Sequence, residues 1–531
     1  MLNTRFTTLL TRALACTLLM PAACSESDRT GQSRGGVSTP PGDDGVTVPA
    51  GTQPPAQVEP SSGESQSATT TTGEPVAGAA GNGATPAEGN AQPDAPSGAS
   101  TQTDDGSPAP VASEWRMMGY DPGSTFNNSA ETLLTKENAA TLRVAWQADM
   151  GGNVYGAALQ VGDRIYASGP ASARAFDAAT GSELWSADVS STAALAYDGG
   201  KLYAHTNTSD IVALDAETGA MLWSSPANPS DRGDGTSSPL VAGDLVLIGG
   251  SNGGIELSFG SFRGYLSALD AETGESRWVE YTVPSTAEGA SIWSSPAADL
   301  EAGLAFGSTG NNYGTPTTDT SDALIAFDLQ TGSILWKNQR VADDAFSGTT
   351  RTAGPDADFG ANPVVYETML EGEPTKLVSS GHKGGSACAV RADDGSLVWT
   401  RDLCPGSTTG SRGIFTNATW TGRYMLFACN EERSATLYAL DGASGDIAWM
   451  RTLPGLVWGR TAVANGVGAV GAGETLEIFD ADTGEVITSF QSQGGTIAST
   501  ITIANGRIAF GEGLSWQSGK RGSALTVLSL P

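Results

Sequence analysis

The sequence predicts an all-β fold: an eight-bladed β-propeller of four-stranded antiparallel blades, its ring closed by N- and C-terminal strands. Three observations carry this. One phrase recurs seven times along the chain. Each copy alternates like a strand on either side of a tight turn. No long amphipathic helical period competes with it.

The phrase reads AFDAATGSELW from Ala175, ALDAETGAMLW from Ala213, ALDAETGESRW from Ala268, AFDLQTGSILW from Ala326, AVRADDGSLVW from Ala389 and ALDGASGDIAW from Ala439. A weaker copy, IFDADTGEVIT, starts at Ile478. Self-similarity at this period marks a repeat architecture. Each copy reads as a hairpin. Its Gly supplies positive φ, and its Asp bonds the turn backbone. A second alternating pair lies upstream of most copies, as in LVAGDLVLIGG from Leu240. Two pairs make four strands, a propeller blade, with the Trp packing on its neighbour. The Ser523–Leu530 strand lacks this hairpin, and the Leu142 stretch LRVAWQADM has a Trp without the turn. Joined, they form an eighth blade and remove the open sheet edges.

The start positions are 38, 55, 58, 63, 50 and 39 residues apart. A bare blade needs roughly 40. The first and last intervals are nearly pure blade, whereas the middle ones carry loops. Loops on a rigid scaffold are where binding groups concentrate, so the sequence points to the segment between Leu222 and Trp420.

Three segments are expected along the 531 residues. Residues 1–24 resemble an export signal, with Arg5 and Arg12, the apolar run ALACTLLMPAA and then Cys24. PAAC resembles a lipoprotein cleavage site, which implies acylation of Cys24 and a membrane tether without a spanning helix; ordinary signal cleavage is the plainer alternative. Residues 25–113 are low-complexity and lack aromatic side chains, so they are expected to be a disordered linker. Residues 114–531 are expected to form the propeller. The implied address is the periplasmic face of the cell envelope or the cell surface, lipid-anchored, with the outer membrane favoured. The net charge of −30 and the lack of a basic patch exclude nucleic acid as a partner. Cys388, Cys404 and Cys429 allow one intramolecular disulfide of unspecified pairing. There is no Cys-x-x-Cys-His haem motif, and with only His205 and His382 a histidine-rich metal site or a Ser-His-Asp triad is not expected.

The inserted segments carry the chemistry. In order they are WRMMGYDPGSTFNNS (Trp115–Ser129), SNGGIELSFGSFRGYLSALDAETG (Ser251–Gly274), GASIWSSPAADLEAGLAFGSTGNNYG (Gly289–Gly314), DADFGANP (Asp356–Pro363) and GHKGG (Gly381–Gly385). Together they resemble the pyrroloquinoline quinone (PQQ)-dependent alcohol dehydrogenases, and within these the polyvinyl alcohol dehydrogenase-like branch. The resemblance implies a quinoprotein that uses PQQ and Ca²⁺ to oxidise an alcohol or a hydroxylated polymer, passing electrons to an external acceptor such as a cytochrome. It implies Glu256 and Asn311 as Ca²⁺ ligands, both hard oxygen donors. It implies Trp293 as the stacking floor, Lys383, Thr236 and Arg263 as cofactor contacts, and Asp358 as the base that takes the hydroxyl proton.

Each residue also has a plainer reading. Glu256 is one carboxylate of many in an acidic chain. Asn311 suits a turn. Trp293 could pack between blades, Asp358 could be solvated, and Arg263 could pair with a nearby acid. Two positions depart from the family. Ala193 stands where an Arg is usual, and Tyr155 replaces an acid that contacts the quinone. These departures keep two alternatives open: a non-catalytic binding or assembly scaffold at the envelope, and a propeller that binds another flat or anionic ligand.

Overall fold

The repeated phrase folds as the outer hairpin of each blade. The computed structural model describes residues 113–230, 233–252, 261–347, 354–406, 412–513 and 521–531; Cys24, the low-complexity segment through residue 112 and Glu256 lie outside them. Among the described residues eight sheets are present, antiparallel apart from one added two-residue strand, in which strands follow one another from ring centre to rim. Blade 1 comprises Leu159–Val161, Arg164–Ser168, Ala173–Asp177 and Glu183–Ala187. The inner strands of blades 2 to 7 are Ala196–Asp198, Leu240–Ala242, Ala297–Asp299, Val364–Leu370, Thr419–Trp420 and Ala462–Ala464. Blade 8 is assembled from Thr502–Ala504, Arg507–Gly513 and Ala524–Ser529, with Arg143–Asp149 as its outer strand. That last pairing places Trp146 opposite Val527 and closes the ring as expected.

The phrase fixes register and docking together. Its first Ala pairs directly with its Trp in six blades, from Ala175 with Trp185 to Ala439 with Trp449. A small side chain opposite a large one lets the indole lean toward the next blade. There the indole N–H of Trp185 donates to the Ala216 carbonyl at 3.0 Å, and Trp336 donates likewise to Ala392 at 3.0 Å. Trp146 of the split blade reaches Ala178 of blade 1 at 3.0 Å. The turn Gly of the receiving blade lies under each indole: a Cβ on Gly332 would sit 2.5 Å from the Trp278 ring. The turn Asp accepts backbone and hydroxyl hydrogens, as Asp328 does from Thr331 N–H and Oγ1–H at 2.8 Å each. These bonds hold the Asp328 carboxyl below its ordinary value.

The N-terminal segment WRMMGYDPGSTFNN crosses the ring centre. Trp115 pairs with Gln160 of blade 1, and the Arg116 carbonyl accepts from Tyr197 of blade 2. Carbonyls of Pro122, Gly123 and Thr125 then accept from Ala298, Val365 and Trp420 of blades 4, 5 and 6. Asn127–Asn128 adds in parallel to the inner strand of blade 7. The Asn128 side chain reaches the Ile503 carbonyl of blade 8 at 2.7 Å. Trp115 and Phe126 are wholly buried. One short segment thus ties seven blades together through inner-strand hydrogen bonds.

Cys404 and Cys429 form the disulfide, and Cys388 is a buried free thiol. The bridge joins the loop after blade 5 to the second strand of blade 6.

Candidate functional site

Loops leave the ring on two faces. The Asp-Thr-Gly turns lie on one. The opposite face carries the loops from each outer strand to the next inner strand, together with those joining second to third strands. Among the described residues, those nominated for the site, Thr236, Arg263, Trp293, Asn311, Asp358 and Lys383, belong to this second set. The two longest spacings, between the third and fifth repeats, are explained here, since their inter-strand stretches fall at residues 282–296, 309–322 and 340–363.

Asp358 is the hub. Its carboxylate is buried; Oδ2 accepts from Lys383 Nζ at 2.6 Å and Oδ1 from the Asn311 backbone N–H at 2.6 Å. Lys383 also donates to Asp356 at 2.8 Å. Burial raises the Asp356 carboxyl to about 7, with Lys383 opposing the rise. Glycine makes the approach possible, because a Cβ on Gly310 would lie 2.7 Å from Asp358 Oδ1. The half-buried Trp293 ring lies alongside: Lys383 Nζ is 5.5 Å from its centroid, and a Cβ on Gly360 would sit 2.8 Å from its Cη2. The result is an aromatic platform with a cation and a held carboxylate beside it.

Asn311 is oriented by its own amide. Both Nδ2 hydrogens are used, toward the carbonyls of Asn312 at 2.8 Å and Phe346 at 2.7 Å. Its Oδ1 is buried without a hydrogen-bond partner. A hard oxygen held in this way suits a divalent cation. The described residues contain no cluster of three or more His, Cys, Asp or Glu that would hold a metal by themselves. A cation here would therefore need donors beyond Asn311 and Asp358, and Glu256 lies outside the described residues.

Two nominated contacts make local bonds. The Arg263 guanidinium stacks on Tyr281, 3.7 Å from the ring centroid, and donates to the Val283 carbonyl at 2.7 Å. Aromatic stacking and a loop carbonyl occupy it locally. Thr236 is exposed and bonds Ser251 at 2.7 Å and Asp234 at 3.1 Å. It nonetheless shares a register with Trp293, since each precedes its inner strand by four residues. The same position is Tyr155 in blade 1, Gly360 in blade 5, Phe415 in blade 6 and Trp458 in blade 7. Ala193 is buried, and its carbonyl accepts from Ser168 and Ser191. His382 is buried, lies edge-on to Phe359 and accepts the Gly384 N–H; burial lowers it to about 4, so it is neutral and structural.

Sequence reading missed Asp322. It is wholly buried, adopts a left-handed backbone (φ 48°), and neither carboxylate oxygen has a hydrogen-bond partner. Burial, then the charges of Asp358 and Asp344, push its carboxyl well above the usual range. The folded state therefore holds this proton more tightly than the unfolded chain. The associated stability is full below the unfolded value and is lost as pH rises through the folded one. Asp322→Asn is expected to melt higher than wild type at pH 8, with the difference shrinking toward pH 4. A thermal-melt series that shows a pH-independent difference would contradict this assignment.

With this geometry in place, comparison with known proteins is informative. The PQQ_2 family model, described as outer membrane protein assembly factor BamB, matches residues 94–338, 263–419 and 383–529. The chain belongs to the PQQ_2 propeller family. Within the wider set of relatives, a polyvinylalcohol dehydrogenase of Pseudomonas sp is 31% identical over 317 residues, covering 52% of this chain and 49% of that protein. A polyvinylalcohol dehydrogenase of Sphingopyxis sp. (strain 113P3) is 28% identical over 433 residues, covering 70% and 65% respectively. The chain thus spans about half to two thirds of the length of these relatives. The crystal structure of quinohemoprotein alcohol dehydrogenase from Comamonas testosteroni superposes with a TM-score of 0.67 at 16% identity, covering 78% of this chain and 80% of that one, which shows a shared fold.

Proposed function

We propose that this PQQ_2 propeller is a quinone-dependent alcohol dehydrogenase. The observation that carries the reading is the convergence of Asp358, Lys383, Trp293 and the partnerless Oδ1 of Asn311 on one face of the ring. PQQ would rest on Trp293 beside Lys383, and Ca²⁺ would be held by Asn311 with Glu256. What the two supply when bound is a two-electron hydride acceptor and a Lewis acid.

The chain's own residues do the rest. Asp358 takes the hydroxyl proton of the alcohol. Lys383 and the Asn311 N–H fix the carboxylate, so little reorganisation accompanies proton transfer. Asp356 shares the Lys383 charge and keeps that lysine from neutralising Asp358 alone. The substrate class is an alcohol or hydroxylated polymer, supported by the names of the two relatives above, and electrons pass to an external acceptor. Export, acylation at Cys24 and attachment at the outer membrane belong to the same proposal. They rest on the signal-like residues 1–24; among the described residues no helix is long and apolar enough to cross a membrane.

Reconstitution tests the reading. The full chain loaded with PQQ and Ca²⁺ is expected to retain quinone absorbance and to reduce an artificial dye with simple alcohols or polyvinyl alcohol. The absence of both absorbance and dye reduction would overturn it and favour the scaffold, a reading that Ala193 and Tyr155 support.

A further inference from the structure

Arg460 stands out because an acidic chain leaves it unpaired. Fifty-eight Asp and Glu residues face twenty-eight Lys and Arg. Yet no salt bridge or side-chain hydrogen bond engages the Arg460 guanidinium among the described residues, and its Nε is buried without a partner. Leaving a cation this way is costly unless something else meets it. Burial alone draws its guanidinium down to about 10, with no acid in opposition.

Its position is equally informative. Arg460 lies two residues before the inner strand of blade 7. At the same register, Ser238 accepts the Ala194 N–H at 3.0 Å and Ser295 accepts the Ser238 N–H at 2.7 Å. Both bonds run from one blade to the next around the ring centre. Thr500 holds this register in blade 8, forms a parallel bridge with Arg460, and has a buried Oγ1 without a partner. Two adjacent groups able to donate are therefore left open. Contacts connect them to the platform. Gly360, against the Trp293 ring, also abuts Phe415: a Cβ there would be 3.1 Å from Phe415 Cα. Phe415 packs on Trp458 at 5.7 Å between centroids, and Trp458 is two residues from Arg460.

We propose that Arg460, with Thr500 beside it, forms an anion subsite at the ring centre that takes a carboxylate of the flat ligand resting on Trp293. This deepens the quinone-site reading and rests on it. It also answers a deficit: Ala193 removes a cation on blade 2, and Arg460 supplies one from blade 7. A guanidinium is suited to the task, since it keeps its charge when buried and can bond a carboxylate through two N–H groups.

The test uses the full chain and two probes, PQQ and benzene-1,3,5-tricarboxylate. Arg460→Met and Arg460→Gln are expected to fold, with melting temperatures without ligand at or above wild type, because each removes an unpaired, partly buried charge. Their PQQ affinity, measured by calorimetry, is expected to fall at least tenfold, the scale of a charge-assisted hydrogen bond. Affinity within twofold of wild type in both variants would overturn the subsite. If wild type takes up no PQQ, the quinone reading fails, and the subsite is judged by the second probe. The tricarboxylate should then raise the melting temperature of wild type and not of either variant. An equal response, or none in wild type, would overturn it.

Discussion

Asp358→Asn is expected to abolish nearly all alcohol oxidation while leaving PQQ binding intact. The substitution keeps the shape of the side chain and removes its ability to take a proton. General-base catalysis contributes about 10²- to 10⁴-fold, so dye reduction by the PQQ- and Ca²⁺-loaded variant should fall by about that factor. The local structure is prepared for the change. Lys383 retains Asp356 at 2.8 Å, so no buried ammonium is stranded. The Asn311 N–H, which meets Oδ1 in wild type, can meet the amide oxygen instead, while Lys383 loses its acceptor on this side chain and turns toward Asp356. Trp293 is not disturbed, so quinone affinity should stay within a few-fold. Lys383→Met is the contrasting case, because it leaves Asp356 and Asp358 buried together without their cation. It should lower the melting temperature as well as the rate. Asp358→Asn with near wild-type turnover, measured on fully loaded protein, would remove Asp358 from the role of base.

The frame of this molecule was legible in its sequence because each feature is local and repeated. Ala, Asp, Gly and Trp recur at fixed offsets, and each offset corresponds to one contact: pair, turn, seat and indole. The split eighth blade was legible for the same reason, since Trp146 had no turn and the last strand had no hairpin. The site was legible only where a residue type carries its own chemistry. Asp358, Lys383, Asn311 and Trp293 lie on four separate loops between residues 293 and 383, and their motifs pointed to them; only folding shows that they meet.

Asp322 and Arg460 were not legible because their importance lies in what they lack. TSDAL reads as an ordinary turn into a strand, and WGRTA as a loop. The absence of a partner is a property of the packed ring and leaves no trace in spacing. The local partners of Arg263 were not legible for a different reason. Tyr281 and the Val283 carbonyl lie about twenty residues downstream, where the outer strand of the same blade returns to the site face, and an Arg-Gly pair does not announce them. The glycines show the same limit. A turn Gly was read for its positive φ, whereas Gly310 and Gly360 matter because side chains of Asp358 and Trp293 occupy the space of a Cβ.

Gly332→Ala is expected to destabilise the ring about twice as much as Gly303→Ala, although both glycines lie in blade 4 and both are left-handed. Gly332 has φ 77° and Gly303 φ 69°, so the backbone penalty for an L side chain, about 1–2 kcal/mol, is common to both. They differ in what a Cβ would meet. At Gly303 no atom lies within 4 Å; at Gly332 the Trp278 ring is 2.5 Å away. The indole would have to move, straining its 3.1 Å bond to the Leu329 carbonyl and the seat between blades 3 and 4. Overpacking of this kind costs about 1–3 kcal/mol more. Urea unfolding should therefore show a total loss of about 3 kcal/mol for Gly332→Ala. A double-mutant cycle isolates the contact. In a Trp278→Ala background, Gly332→Ala should cost no more than Gly303→Ala does in wild type, because only the backbone term survives. If the cost is the same with and without the indole, the turn glycine serves its own turn alone, and the Gly–Trp seat is not what holds neighbouring blades together.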